Sequence, residues 1–133
     1  RTTFIVGFPG ETEADFNELL QFIEDEKFER AGVFNYSREE GTRADKMDEH
    51  VHHMTRKARW NEAMRAIERN VQHVNQRHVG KMMRVLVEEP GIARSAMDAP
   101  DIDTTVFVDK KLPVGDFAEV KIKDWRGYDL VAG

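Results

Sequence analysis

Apolar and polar positions alternate between two periods along the chain, and the switches between them mark the elements. Thr3 to Phe8 is a β-branched and aromatic run stopped by Pro9-Gly10, which predicts a strand followed by a turn. Thr12 then stands where a helix cap belongs, with Asp15 three residues on as an acidic variant of the capping box. Phe16, Leu19, Leu20 and Ile23 follow at helical spacing, so a helix over roughly 13–27 buries one stripe. Gly32-Val33-Phe34-Asn35-Tyr36 reads as a second short strand. Strand, helix and strand in so short a span is the βαβ unit of a parallel sheet.

Ser37 to His53 is polar and aperiodic, a connecting segment. From Thr55 the helical period returns through Trp60, Met64, Ile67, Val71 and Val74, and Gly80 is placed to end that helix. A helix packed on the preceding sheet is preferred to a coiled coil, because the seam lasts barely three heptads. Beyond Gly80 the period becomes that of strands. The runs 82–89, 92–98, 104–108, 117–123 and 128–132 are punctuated by Pro90-Gly91, Ala99-Pro100 and Pro113-Val114-Gly115. Five short strands predict a small OB-like β-barrel. The expected class is thus α/β plus all-β, with domains 1–79 and 80–133.

Composition adds exclusions. The 133 residues contain no cysteine, so disulfides, thiolate metal sites and thiol catalysis are outside this stretch. No apolar run is long enough to cross a bilayer and no signal peptide opens the chain, which predicts a soluble, cytoplasmic protein. Arg1 leads almost directly into a strand, as in a piece excised from a longer chain. Net charge is −5, which argues against a duplex-binding protein.

The Gly7–Thr12 corner, GFPGET, invites a phosphate reading that its residues do not support. A P-loop needs lysine and a hydroxyl after its second glycine, and Glu11-Thr12 stand there. A dinucleotide fingerprint needs a third glycine, and an RNA-binding GXXG loop joins two helices. Glu11 would also repel a phosphate. Two readings remain: a strand end at which Gly7 lets a ligand approach the backbone, or a plain turn with Glu11 favouring the helix N-terminus.

Three stretches carry a resemblance. GFPGET with a downstream YSREEGT resembles the last third of the barrel in radical S-adenosylmethionine methylthiotransferases. Gly80 to Val131 is similar to their appended TRAM domain, and DAPDID with a final YDL resembles the branch that modifies an aspartate of a small-subunit ribosomal protein. The resemblance implies S-adenosylmethionine and two four-iron clusters in a full-length parent. It also implies that the cluster cysteines lie upstream, and that this stretch alone is inactive. It further implies cofactor-binding roles for Ile5, packed on adenine, for Gly7, allowing close approach, and for the backbone of Phe34, Asn35 and Tyr36. Ile5 and Phe34 as simple core residues are the competing reading. With the ligand-approach reading, Gly7→Val is expected to weaken cofactor binding and leave the fold intact.

Charge bears on the partner. Residues 80–133 hold eight Lys plus Arg against ten Asp plus Glu. That balance suits a basic ribosomal protein better than the tRNA modified by the sibling branch, the alternative reading. Asp98, Asp101 and Asp103 form an acidic group around Pro100, read either as a substrate-steering patch or as turn residues. His50, His52 and His53 make a weak metal site at most. Arg56, Lys57, Arg59, Arg65 and Arg69 read as a solvated face of the long helix, with an RNA contact as the minority view. Trp125 reads as a cover for the open end of the small barrel.

Overall fold

The computed structural model describes residues 1–99 and 104–133, and they divide into two compact units, Thr2–Arg69 and Asn70–Gly133. In the first, β1 (Thr2–Val6) and β2 (Ala31–Asn35) pair in parallel, joined by α1 (Glu13–Glu26). The register sets Ile5 beside Phe34 and Val6 beside Asn35. Val6 and Val33 are buried with Phe16 and Ile23 of α1 and with Ala63, Ala66 and Ile67 of α2 (His53–His78). The strand–helix–strand unit is therefore as the periodicity predicts, and α2 spans 26 residues.

Local chemistry explains where α1 starts. The Thr12 hydroxyl accepts the Asp15 N–H at 3.1 Å while the Asp15 carboxylate accepts the Thr12 N–H at 3.0 Å, so both halves of the capping box are made. These bonds to Thr12, backbone first and hydroxyl second, hold the Asp15 carboxyl below its ordinary value of 3.8. A carboxyl depressed in the folded state adds stability above its unfolded value, and that stability is lost as pH falls through the lower folded value. Acid titration should therefore fray the first turn of α1 below about pH 4, seen as faster amide exchange at Asp15 and Phe16. Asp15→Ala, which takes away the titrating carboxylate that accepts the Thr12 N–H, should remove that pH dependence. Equal acid sensitivity in both proteins would dismiss the cap as its source.

The second unit holds the end of α2 and a closed barrel in the order β3-β4-β5-β7-β6. Its strands are β3 (Met82–Glu89), β4 (Ile92–Ser95), β5 (Val106–Phe107), β6 (Phe117–Arg126) and β7 (Asp129–Ala132). All neighbours are antiparallel except β5 and β7. Val85, Val87, Ala93, Val106, Val120, Ile122 and Leu130 fill the interior, with Trp125 half-buried against them. Alternation along β3 and β6 sends Val85, Val87, Val120 and Ile122 inward and leaves Arg84, Phe117, Glu119 and Lys121 outside or partly so.

Gly80 turns the chain from helix to barrel at φ +87°, and its N–H donates to Ile122 O at 2.7 Å. Asn75, fully buried near the end of α2, donates from Nδ2 to Tyr128 O at 2.7 Å, fixing the helix end to the β6–β7 turn. Strand lengths differ from the sequence expectation: β6 runs on to Arg126, β7 starts at Asp129, and β4 and β5 are shorter. β4 stops at Ser95 because Asp98 pulls the next residues into a turn. β5 keeps only Val106 and Phe107 as ladder residues.

Candidate functional site

The carboxyl ends of β1 and β2 lie side by side, and each sequence-predicted cofactor residue sits there. Phe4, Val6 and Val33 are drawn toward the helices, so the pleat sends Ile5 and Phe34 to the opposite face. Ile5 is 56% exposed and Phe34 65%, an apolar pair in lateral register on a face that α1 and α2 do not cover. Burial of these two in a core is thus not what the described residues show. Asn35 is exposed beside them, and the ladder ends with Tyr36 N–H donating to Val6 O at 2.9 Å. The Phe8 ring meets the Tyr36 ring edge-on at 5.4 Å between centroids, and the His50 ring lies 6.1 Å from Tyr36.

Gly7 adopts φ +78°, a conformation that favours glycine. The space over its α-carbon is filled from within the unit. A Cβ built at Gly7 would lie 2.4 Å from Cγ and 2.8 Å from Cδ of Arg56. What approaches the Gly7 backbone closely here is the aliphatic stem of an arginine, which revises the expectation that a side chain there would leave the fold intact. The Gly7 N–H donates to Glu11 Oε1 at 3.1 Å, and the same oxygen accepts from Arg59 Nη1 at 2.8 Å. Glu11 is therefore an internal acceptor, paired with a guanidinium whose side chain is 13% exposed. The question raised by the GFPGET corner has a local answer: its acid binds its own glycine and an arginine from α2.

Arg56 and Arg59 correct the solvated-face reading for those two positions. Arg56 Nη1 donates to Tyr36 O at 3.0 Å and Arg59 Nη1 to Glu11 O at 3.2 Å, so both reach the strand ends. Their partners stand 20 and 48 residues away in sequence, and no local pattern announces such contacts. Arg69 does fit the solvated reading: it is exposed and forms an open ion pair with Glu24 at 3.3 Å.

In the barrel unit, Asp98 is 5% exposed. Its Oδ2 accepts from the Ser95 hydroxyl at 2.8 Å and the Ser95 N–H at 3.3 Å, and its Oδ1 accepts from the Thr104 hydroxyl at 2.9 Å. That carboxylate organises its own turn, as turn aspartates do. Asp101 and Asp103 lie outside the described residues. Of the histidines, His52 and His53 stack at 4.3 Å, and His50 Nε2 lies 3.2 Å from Asp45 O. Among the described residues no group of three or more His, Asp or Glu side chains is arranged to hold a metal ion. No helix among them is long and apolar enough to cross a membrane.

Comparison with known proteins places these features. Residues 79–133 match the TRAM domain family model. The chain is 54% identical over 132 residues to the ribosomal protein uS12 methylthiotransferase RimO of Opitutus terrae, covering 99% of this chain and 28% of that protein. It is equally similar, 54% over 132 residues, to the protein of the same name from Akkermansia muciniphila, with 29% of that protein covered. The namesake from Thermoanaerobacter sp. is 48% identical over 137 residues, covering 98% of this chain and 31% of that protein. The chain thus spans less than a third of the length of the curated relatives it matches. Residues 79–133 match the TRAM domain, and along nearly its whole length the chain is similar to the C-terminal part of the RimO methylthiotransferases.

Proposed function

We propose that this chain is the C-terminal, substrate-recognising portion of an iron–sulfur enzyme that methylthiolates an aspartate of a small-subunit ribosomal protein with S-adenosylmethionine. The observation that carries this reading is the 54% identity to proteins of that name along nearly every residue of the chain. The unit Thr2–Arg69 fits the tail of a cofactor-binding α/β sheet, in which ligands meet the carboxyl ends of parallel strands. Ile5 and Phe34 offer an exposed apolar surface there for a flat heteroaromatic ring. The backbone beside it at Asn35 and Tyr36 supplies polar atoms. The chain has no cysteine, so thiolates from other parts of the enzyme would hold the two four-iron clusters. When bound, those clusters and S-adenosylmethionine supply the radical and sulfur chemistry. The residues described here orient the nucleoside and present the substrate.

Substrate recognition falls to the barrel. Its net negative charge suits a cationic protein, since each contact with a polyanion would start from repulsion. Asp98 enters as the residue that shapes the turn, and Asp101 and Asp103, which follow it in sequence, are the proposed contacts for basic side chains. The cytoplasm, where ribosomal proteins are assembled, is the matching compartment.

The test pits the purified full-length protein against two ligands, ribosomal protein uS12 and bulk tRNA, in parallel binding titrations. Binding to uS12 should dominate and weaken when Asp101 and Asp103 are both changed to Asn, most visibly at low salt. Tight, salt-sensitive tRNA binding with no uS12 complex would overturn the assignment in favour of a tRNA-modifying enzyme.

A further inference from the structure

Two arginines, three residues apart on α2, serve the two strand ends, and Arg56 meets both. At β2 the ladder stops after Tyr36 N–H donates to Val6 O, and the next acceptor, Tyr36 O, is taken by Arg56 Nη1 at 3.0 Å. The guanidinium thus continues the hydrogen bonding where no strand does. At β1 the Gly7 N–H is taken by Glu11, which Arg59 holds at 2.8 Å. The Arg56 stem also lies against Gly7, closer than any side chain there could tolerate. Gly7 and Tyr36, one beyond the end of each strand, are therefore set in position by a single residue.

Arg56 is not an arrangement optimised for stability. Its Nε is buried and makes no hydrogen bond among the described residues, as is also true of the Tyr36 hydroxyl. A buried unpaired donor is costly, and an apolar residue of similar length would cover Gly7 without that cost. Local frustration of this kind is tolerated where the backbone must be held in one place for a ligand.

We infer that Arg56 is a positioning residue for the nucleoside-facing strand ends: it sets Gly7 and Tyr36 relative to the exposed Ile5–Phe34 pair without itself touching the ligand. This rests on the cofactor reading proposed above. Arg56→Met keeps the stem over Gly7 and removes the donor to Tyr36 O. Arg56→Lys keeps the stem and a charged donor of different geometry.

The experiment uses the full-length protein and S-adenosylmethionine itself as the probe, by equilibrium dialysis, together with amide hydrogen exchange in the absence of the nucleoside. Arg56→Met should raise the dissociation constant about tenfold, the worth of one charge-assisted hydrogen bond. It should also speed exchange at Tyr36 and Ser37. Arg56→Lys should recover most of both, and the KM for the ribosomal protein should not move in either variant. Should Arg56→Met merely lower the melting temperature while its folded fraction binds with unchanged affinity, the role is structural and the inference is overturned. Failure of the unaltered protein to bind the nucleoside would instead bring down the cofactor reading, and this inference with it.

Discussion

Replacing Gly7 by valine should destabilise the Thr2–Arg69 unit by about 4 kcal/mol, combining strain at a positive φ with overpacking against a filled site. Both contributions are local. The backbone stands at φ +78°, where a β-branched residue is strained, and the new Cβ would meet the Arg56 stem at 2.4 Å. Relief would require Arg56 to swing away, which breaks its bond to Tyr36 O and exposes the end of β2. The measurement is urea unfolding followed by Trp60, whose indole N–H donates to Val33 O at 2.9 Å within the same unit. A Trp125→Phe background removes the second indole, which belongs to the barrel. An unfolding midpoint equal to that of the unaltered protein would show that α2 yields at no cost, contrary to the geometry.

The barrel should respond as strongly to Leu130→Ala, at about 3 kcal/mol, because a buried leucine leaves both lost transfer energy and a cavity. Leu130 is fully buried in β7, opposite Val106 on one side and Trp125 on the other. Among the described residues the apolar interior has seven buried side chains, so little remains to collapse into the space. Trp125 makes the change visible, since its ring packs against the same core. In a Trp60→Phe background its emission should shift to the red and the melting temperature should fall by about 12–24 °C, as about 4–8 °C per kcal/mol applies to a domain this small. A shift of less than 1 °C would mean that the barrel is held by something other than its apolar filling.

These two residues also mark how far the sequence could be read. The strand that carries Leu130 was legible as the run 128–132, and the barrel follows from five such runs. Gly7 was legible as a special backbone position but not in its cause. The neighbour that demands glycine there is Arg56, 49 positions later on a helix whose charged residues all look alike from sequence. Charge spacing on a helix reports which residues share a face, and it says nothing of which strand end that face meets. Asp98 shows the same limit. An aspartate next to a proline serves equally as a turn former or a surface acid, and only its burial with Ser95 and Thr104 separates the two. The capping box was readable because both its partners lie within four residues of each other.

The two sheets differ in one respect that governs how pieces of this chain behave. The barrel closes on itself, with β6 returning to β3, and so offers incoming peptides no unfinished ladder. β1 and β2 form a ribbon of two, with no third strand beside either among the described residues. Polypeptide segments of β character should zip onto those flanks, so Thr2–Arg69 produced by itself should self-associate and precipitate where Asn70–Gly133 stays monodisperse.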